Sequence, residues 1–315
     1  MWSYSVGFYG VWLAYLGRRT GLLERLAKKP MSVEQLATST GLYLPAVRSW
    51  CSAAISYRLL VKHNDKLHLP AGMASILMRR DHREYLGGLF SYLALRSLQY
   101  GASDDLFKHG NTRKLKSSIE AIEEATHWDH YAFLAAIRRN RKMNLLLSQG
   151  CKFLDVGCGS GTLIAKLHHE YPHSSFVGVD ISQEAVSKAA NIGNKKAVTI
   201  LKMAAETIEF KDQFDIIYLG ESLYATKDKQ RVVNNCCRAL KSGGTVAIVE
   251  GLLPQTKIHS DENKLIMGMQ MDFALQGHKF MTKKEVVALL KKAGFTSIRI
   301  EPLGGSVYLV RASKR

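Results

Sequence analysis

The chain has 315 residues, 46% of them hydrophobic and 23% charged; that excludes a disordered chain, and the length suits two domains better than one. There are 44 Lys and Arg against 27 Asp and Glu, a formal net charge of +17. A basic balance points either to an anionic partner (nucleic acid, an acidic membrane surface, an acidic substrate) or to a solvated, lysine-rich surface, and no single run exceeds a few charges.

The N-terminus reads MWSYSVGFYGVWLAYLGRR. Its apolar stretch, Val6 to Leu16, is too short to span a bilayer and is closed by Arg18 and Arg19. It lacks the basic start and small-residue cleavage site of a signal peptide, so a buried helix is expected. Leu22, Leu23 and Leu26 line a helix that stops near Lys29-Pro30. Ser32-Val33-Glu34-Gln35 has capping-box spacing and starts a helix that ends near Gly41. Pro45 suits the first turn of a third helix, which turns Val47, Trp50 and Ala54 inward. Two short apolar segments then flank Asn64-Asp65, a hairpin signal. Three helices followed by a hairpin predict a winged helix-turn-helix over residues 1–80.

Residues 81–145 read as a helical connector or substrate lid. Aromatics recur there at Tyr85, Phe90, Tyr92, Tyr100, Trp128, Tyr131 and Phe133. They suit a packing core, or the wall of a site for a flat substrate.

Residues 146–315 alternate strand and helix. Strands are expected at 153–157, 176–180, 197–201, 214–219 and 245–251, and a closing pair at 296–301 and 306–310. Helices are expected after the first strand and at 183–190, 231–240 and 283–292, the last capped by Gly294. Such alternation predicts an α/β, Rossmann-like, seven-stranded doubly wound sheet. The five cysteines are odd in number, fit no zinc spacing and suit reduced thiols in the cytoplasm, so no metal site is expected.

The chemistry is carried by KFLDVGCGSGTL, residues 152–163. A strand runs into Asp155-Val156-Gly157-Cys158-Gly159-Ser160-Gly161, and a helix begins at once. Glycines let the backbone turn tightly and let a bulky ligand approach without a Cβ in the way. A turn at the carboxyl end of the first strand is where doubly wound sheets bind nucleotides. The dinucleotide fingerprint needs G-x-G-x-x-G, and here its last position is Thr162. The pattern is instead G-x-G-x-G with an acid two residues before it. That suits a ligand without pyrophosphate but with a cationic amino-acid part, near which Asp155 is placed. The second strand closes in Asp180, at the spacing of a ribose-binding carboxylate, with Ile181 beyond it to pack on adenine. Asp180 also suits a helix N-cap, and the two roles are compatible.

These motifs resemble the class I S-adenosylmethionine-dependent methyltransferases. With LGRRTGLLERLAKKPMSVEQLATSTGLYLPAVRSW, the chain resembles the branch that carries an N-terminal winged helix and includes small-molecule O-methyltransferases. The resemblance implies S-adenosyl-L-methionine as cofactor. Asp155, Gly157, Cys158 and Gly159 would line its methionine end, and Asp180 and Ile181 its ribose and adenine. Lys202 to Glu206 falls where adenine is usually contacted. The acid that often bonds the adenine amine is replaced by Ala204, so Ala205 and Glu206 are the candidates there. Gly220 falls where a carbonyl usually meets the cofactor's amine. It further implies a homodimer through the N-terminal domain, which helps to roof the site. DNA binding is the rival use of that domain. The presumed recognition helix offers Arg48 and Arg58 but is otherwise apolar, which favours packing.

Methyl transfer from a sulfonium needs position and a dry site, and a base only where a hydroxyl must lose its proton. Related plant enzymes carry a histidine base just after the fourth strand; the matching residue here is Tyr224. A tyrosine, with an ordinary pKa near 10, is a poor base, but it can orient substrate or be a half-buried strand-end residue. Histidine ordinarily titrates near neutrality, so His278 and His127 are base candidates; His130 stands near the latter, and Glu250 ends the fifth strand. The expected activity is methyl transfer to a small molecule, by resemblance at oxygen. A methyltransferase for RNA or another anionic macromolecule, and a cofactor-sensing DNA-binding regulator, are the alternatives.

Overall fold

The computed structural model describes residues 1–80, 82, 84–110, 124–190, 192, 196–254 and 260–315. Two compact units emerge: one from residues 1–103 and the described part of 116–128, the other from the described parts of 104–115 and 129–315. The helical segment 81–145 therefore forms no unit of its own. It is shared between the two, and its residues 81, 83 and 111–123 lie outside the described residues.

In the first unit, α1 (Trp2–Arg19), α2 (Leu22–Lys28), α3 (Val33–Thr40) and α4 (Leu44–Ser56) precede a hairpin of β1 (Val61–His63) and β2 (Lys66–His68). The local chemistry explains the boundaries. Ser32 and Gln35 form the reciprocal capping box, and Gly41 ends α3 at φ 68°. Asn64 turns the hairpin at φ 53°. Val47, Trp50 and Ala54 are buried, and the Trp50 indole donates to the Leu13 carbonyl at 3.1 Å. Two more helices follow, α5 (Ala71–Leu77) and α6 (Gly87–Ser97). Arg18 closes this region by bonding Tyr85 at 2.6 Å and Glu124 at 2.9 Å. The expected burial of α1 is corrected. Only Leu13, Ala14 and Gly17 of α1 are buried, whereas Trp2 is 88% exposed and Tyr4, Phe8 and Tyr9 are also open. The helix is apolar all round, and one face cannot bury every side.

The second unit begins with α7 (Asp104–His109); α8 (His127–Arg139) enters it from Asp129, and α9 (Arg141–Gln149) leads to the sheet. There follow β3 (Lys152–Val156), α10 (Thr162–Glu170), β4 (Ser175–Asp180), α11 (Gln183–Ala189), β5 (Val198–Lys202), β6 (Phe214–Gly220), α12 (Lys229–Ala239) and β7 (Leu240–Leu253). Then come α13 (Asp261–Leu275), β8 (Met281–Thr282), α14 (Lys283–Lys292), β9 (Phe295–Gly304) and β10 (Val307–Lys314). The sheet order is β5-β4-β3-β6-β7-β10-β9, with two-residue β8 beside β7 as an eighth strand. β3 to β7 run parallel, and β10 is antiparallel to β7 and β9. Phe153, Leu154 and Val156 are fully buried, as a parallel strand covered on both faces requires. One face packs Val179, Ile217, Val246 and Val310 against α12 and α14. The order reverses between β3 and β6, which opens a crevice at their carboxyl ends. This is a Rossmann-like doubly wound sheet closed by an antiparallel pair. Helix α13 was not expected. Its apolar residues, Leu265, Ile266, Met267, Met269, Met271 and Phe273, surround the helix instead of lining one side.

Candidate functional site: a main-chain turn facing buried acids

The turn after β3 is built from backbone. Gly157, Gly159 and Gly161 have φ of 83°, 53° and 75°, in the left-handed region that glycine enters without steric cost. A Cβ on Gly157 would lie 2.7 Å from the Ser222 Cβ, so a side chain there is excluded twice over. The N–H groups of Gly157 and Cys158 donate to the Val179 carbonyl at 2.8 and 3.0 Å. Cys158 is buried beneath Gly178 with its thiol pushed far above the usual range by burial, so only its main chain can meet a ligand.

Asp180 binds the turn to the neighbouring strand. Its two oxygens accept from Gly159 N–H at 2.9 Å and Ser182 N–H at 2.8 Å. The N-cap role foreseen for Asp180 belongs to Ser182, whose hydroxyl accepts from Ala185 N–H at 3.3 Å. Each Asp180 oxygen keeps a lone pair for a sugar hydroxyl. Ile181 stands 73% exposed beside it, with an open apolar surface for a base. Across the crevice, Ala205 and Glu206 form a single 3-10 turn after β5. The Glu206 carboxylate accepts from Lys227 N–H at 3.0 Å, and the Ala205 carbonyl from the Asn235 side chain at 3.2 Å. At the end of β6, a Cβ on Gly220 would collide with the Tyr218 ring.

Sequence reasoning named Asp155 and Glu250 singly but missed the cluster that they join. Asp155 of β3 is level with Tyr218 of β6. The Tyr218 ring lies 4.3 Å from that of Phe133, one helical turn beyond Asp129 on α8. Glu221 follows β6 and donates its N–H to the Val249 carbonyl at 2.8 Å, next to Glu250. Four carboxyls and one phenol are thus gathered at the ends of β3, β6 and β7. Burial and the charge of Asp180 push Asp155 up to about 8. Burial, then Glu221, pushes Glu250 up to about 8, and burial pushes Glu221 up to about 7 against the Gly251 N–H that it accepts. Asp129 is driven well up by burial and Glu221. Among the described residues, Asp129 Oδ1, Glu250 Oε2 and the Tyr218 hydroxyl are buried without a hydrogen-bond partner. Glu221 itself takes φ 46°, held by the Val249 carbonyl and by Gly251 N–H, which meets its carboxylate at 2.9 Å. Buried polar groups without partners are expensive, and acids without cations more so. A cationic group with hydrogen-bond donors is the chemical complement of such a cluster. The available signal was an acid directly after a strand-end glycine, Gly220-Glu221.

Of the catalytic candidates, two come together. The Tyr224 ring stacks on Phe273 at 4.5 Å and 17°, and meets His278 edge-on at 6.2 Å and Phe280 at 5.6 Å. Glu250 Oε1 accepts from Tyr224 N–H at 3.0 Å, which ties this aromatic cluster to the acids. Burial, then Lys229, lowers the His278 pKa. His127 belongs to the other unit, where its ring meets Tyr85 edge-on at 5.8 Å.

A family profile described as a methyltransferase domain matches residues 147–294. A demethylmenaquinone methyltransferase of Thermotoga maritima is 30% identical over 189 residues, 54% of this chain and 80% of that protein. A myricetin 3'-O-methyltransferase of Solanum lycopersicum is 27% identical over 152 residues; the match spans 47% of this chain but only 40% of the plant enzyme. The crystal structure of human N-acetylserotonin methyltransferase, in complex with S-adenosylmethionine, superposes with a TM-score of 0.73 at 16% identity, covering 99% of this chain and 95% of that one. The chain belongs to the S-adenosylmethionine-dependent methyltransferases.

Proposed function

We propose that the protein transfers the methyl group of S-adenosylmethionine to the oxygen of a small-molecule acceptor. The observation that carries the cofactor half is the juxtaposition of a bare glycine turn with buried acids at one sheet switch point, where one oxygen each of Asp129 and Glu250 lacks a hydrogen-bond partner. When bound, the cofactor supplies an electrophilic methyl on a sulfonium. The turn of Gly157 to Gly161 receives its amino-acid end, and Asp155 with the Gly220 carbonyl faces the amine. Asp180 holds the ribose, and Ile181 with Ala205 and Glu206 flanks the adenine. Oxygen is favoured by similarity to the plant O-methyltransferase.

His278 takes the acceptor's proton. Burial, then the charge of Lys229, lowers its pKa and so favours the neutral imidazole, the form that accepts a proton. The Tyr224 ring, clamped against Phe273, orients the acceptor, while Glu250 fixes the backbone of Tyr224. His127 has no part in this reading. Among the described residues no helix is long and apolar enough to cross a membrane. The protein acts in the cytoplasm as a homodimer; the exposed aromatic half of α1 supports the pairing, because two copies would cover that surface.

Incubating the full chain and a metabolite extract with methyl-labelled S-adenosylmethionine tests the proposal. Label is expected in a low-molecular-weight product whose methyl is on oxygen. Label confined to RNA or protein, or no transfer at all, would overturn it.

A further inference from the structure

A second feature of the methyltransferase unit has no part in methyl transfer. Arg299 of β9 and Arg311 of β10 are direct partners across an antiparallel pair. Like charges in that position repel and cost stability. Both lie on the sheet face away from the core that Ile298, Ile300 and Val310 join. The turn between α8 and α9 adds Arg139, Arg141 and Lys142 to the same place. Two adjoining crevices of about 250 and 410 Å³ run between these groups, and both are lined by Lys142, Arg299 and Arg311. Thr245 and Ser313 line the smaller one.

Neutralisation inside this cluster is slight. Glu301 is the single acid among the lining residues, and it pairs with Arg311. Among the described residues Arg139, Arg141 and Arg299 have no acidic partner, while Arg311 Nε is buried without a hydrogen bond. Other basic groups of the same unit are paired, Arg138 with Glu170 at 2.6 Å and Lys241 with Asp215 at 2.9 Å. The cluster also adjoins the amino end of α9, whose dipole adds positive potential. Along β7, Thr245 in the crevice is five residues from Glu250, about 16 Å, so the crevice is separate from the acids.

We propose that this crevice binds phosphate, as two neighbouring phosphoryl groups of one ligand. Guanidinium forks match phosphate oxygens two at a time, and paired arginines on a rigid hairpin hold that geometry without reorganisation. One volume is below, and the other in the lower part of, the range of pockets that enclose whole organic ligands, about 300–1,000 Å³. They suit a phosphoryl moiety whose remainder stays outside. The ligand is either a free diphosphate-bearing molecule or the phosphodiester backbone of a nucleic acid.

Calorimetric titration of the full chain with inorganic pyrophosphate and with a short single-stranded RNA, at low ionic strength, tests the site. Arg299→Gln and Arg141→Gln, both exposed, are each expected to weaken binding about tenfold. Arg25→Gln, which removes the same charge from an exposed position in the other unit, should leave it within about twofold. Loss for pyrophosphate alone assigns the site to a free diphosphate; loss for RNA assigns it to a phosphodiester. S-adenosylhomocysteine affinity should be unchanged in all three variants, which keeps this site distinct from the cofactor crevice. No binding of either probe, or equal weakening by Arg25→Gln, would overturn the proposal and leave only diffuse positive charge.

Discussion

Along the turn after β3 the atoms offered to a ligand are main-chain groups, set by three left-handed glycines and locked by Asp180. At the ends of β6 and β7 they are side chains: Glu221, Glu250, Tyr218 and, from α8, Asp129. The first region has no room for a Cβ at Gly157 but carries little buried charge. The second is crowded with acids that the folded chain alone does not satisfy. The main-chain N–H groups of the turn are already hydrogen-bonded in the folded chain, whereas the acid cluster carries a cost that a cationic ligand, as proposed, would remove. The two regions should therefore respond differently to mutation and to pH.

The largest expected effect is at Gly157. Gly157→Val places a branched side chain against Ser222 at positive φ, and S-adenosylhomocysteine affinity measured by calorimetry should fall about a hundredfold or more. Asp180→Ala removes both the proposed sugar acceptor and the lock on Gly159, so a loss of about tenfold or more is expected. Asp180→Asn can retain at most part of the lock, so it should fall between wild type and alanine. If asparagine binds as well as wild type, the carboxylate has no role.

A smaller effect separates the acids from the turn. Asp155 and Glu250 have folded-state pKa values raised to about 8 and Glu221 to about 7, above the ordinary carboxylate range. Groups raised in this direction contribute stability at low pH that is lost as pH climbs through the folded value. The ligand-free protein should then lose about 5 °C or more of melting temperature between pH 6 and pH 9, measured by calorimetric scanning. Stabilisation by S-adenosylmethionine should grow over the same interval, because the cation meets charged acids. A ligand shift that shrinks with pH would remove the electrostatic role. The smallest effect is at Tyr224: if its ring works by stacking, Tyr224→Phe should keep activity within about threefold. A loss of several orders of magnitude would make the hydroxyl chemically necessary.

The glycine turn and the doubly wound sheet were legible because their causes are local. Gly-x-Gly-x-Gly after an apolar strand, and Asp180 at the next strand end, lie within 26 residues of chain, Asp155 to Asp180. The capping boxes at Ser32 and Thr282 mark helix starts in the same local way. The acid cluster was illegible because it is tertiary. Asp155, Tyr218 and Glu250 lie in apolar strands that are readable in the sequence, but nothing there shows that they meet Glu221 and, from α8, Asp129. Helix α13 escaped because its methionines give no stripe, and α1 read as buried because hydrophobicity alone does not say what covers it. The Arg299–Arg311 pair depends on strand register, which the residue pattern does not reveal.

The central claim is that this crevice accepts a cationic nucleoside amino acid and not a dinucleotide. Titrating the full chain with S-adenosylhomocysteine and, separately, with NAD under the same conditions tests it directly. One molecule of S-adenosylhomocysteine per chain, lost in Gly157→Val, with no heat from NAD, is the predicted result. Saturable NAD binding that Gly157→Val abolishes, with no binding of S-adenosylhomocysteine, would contradict it.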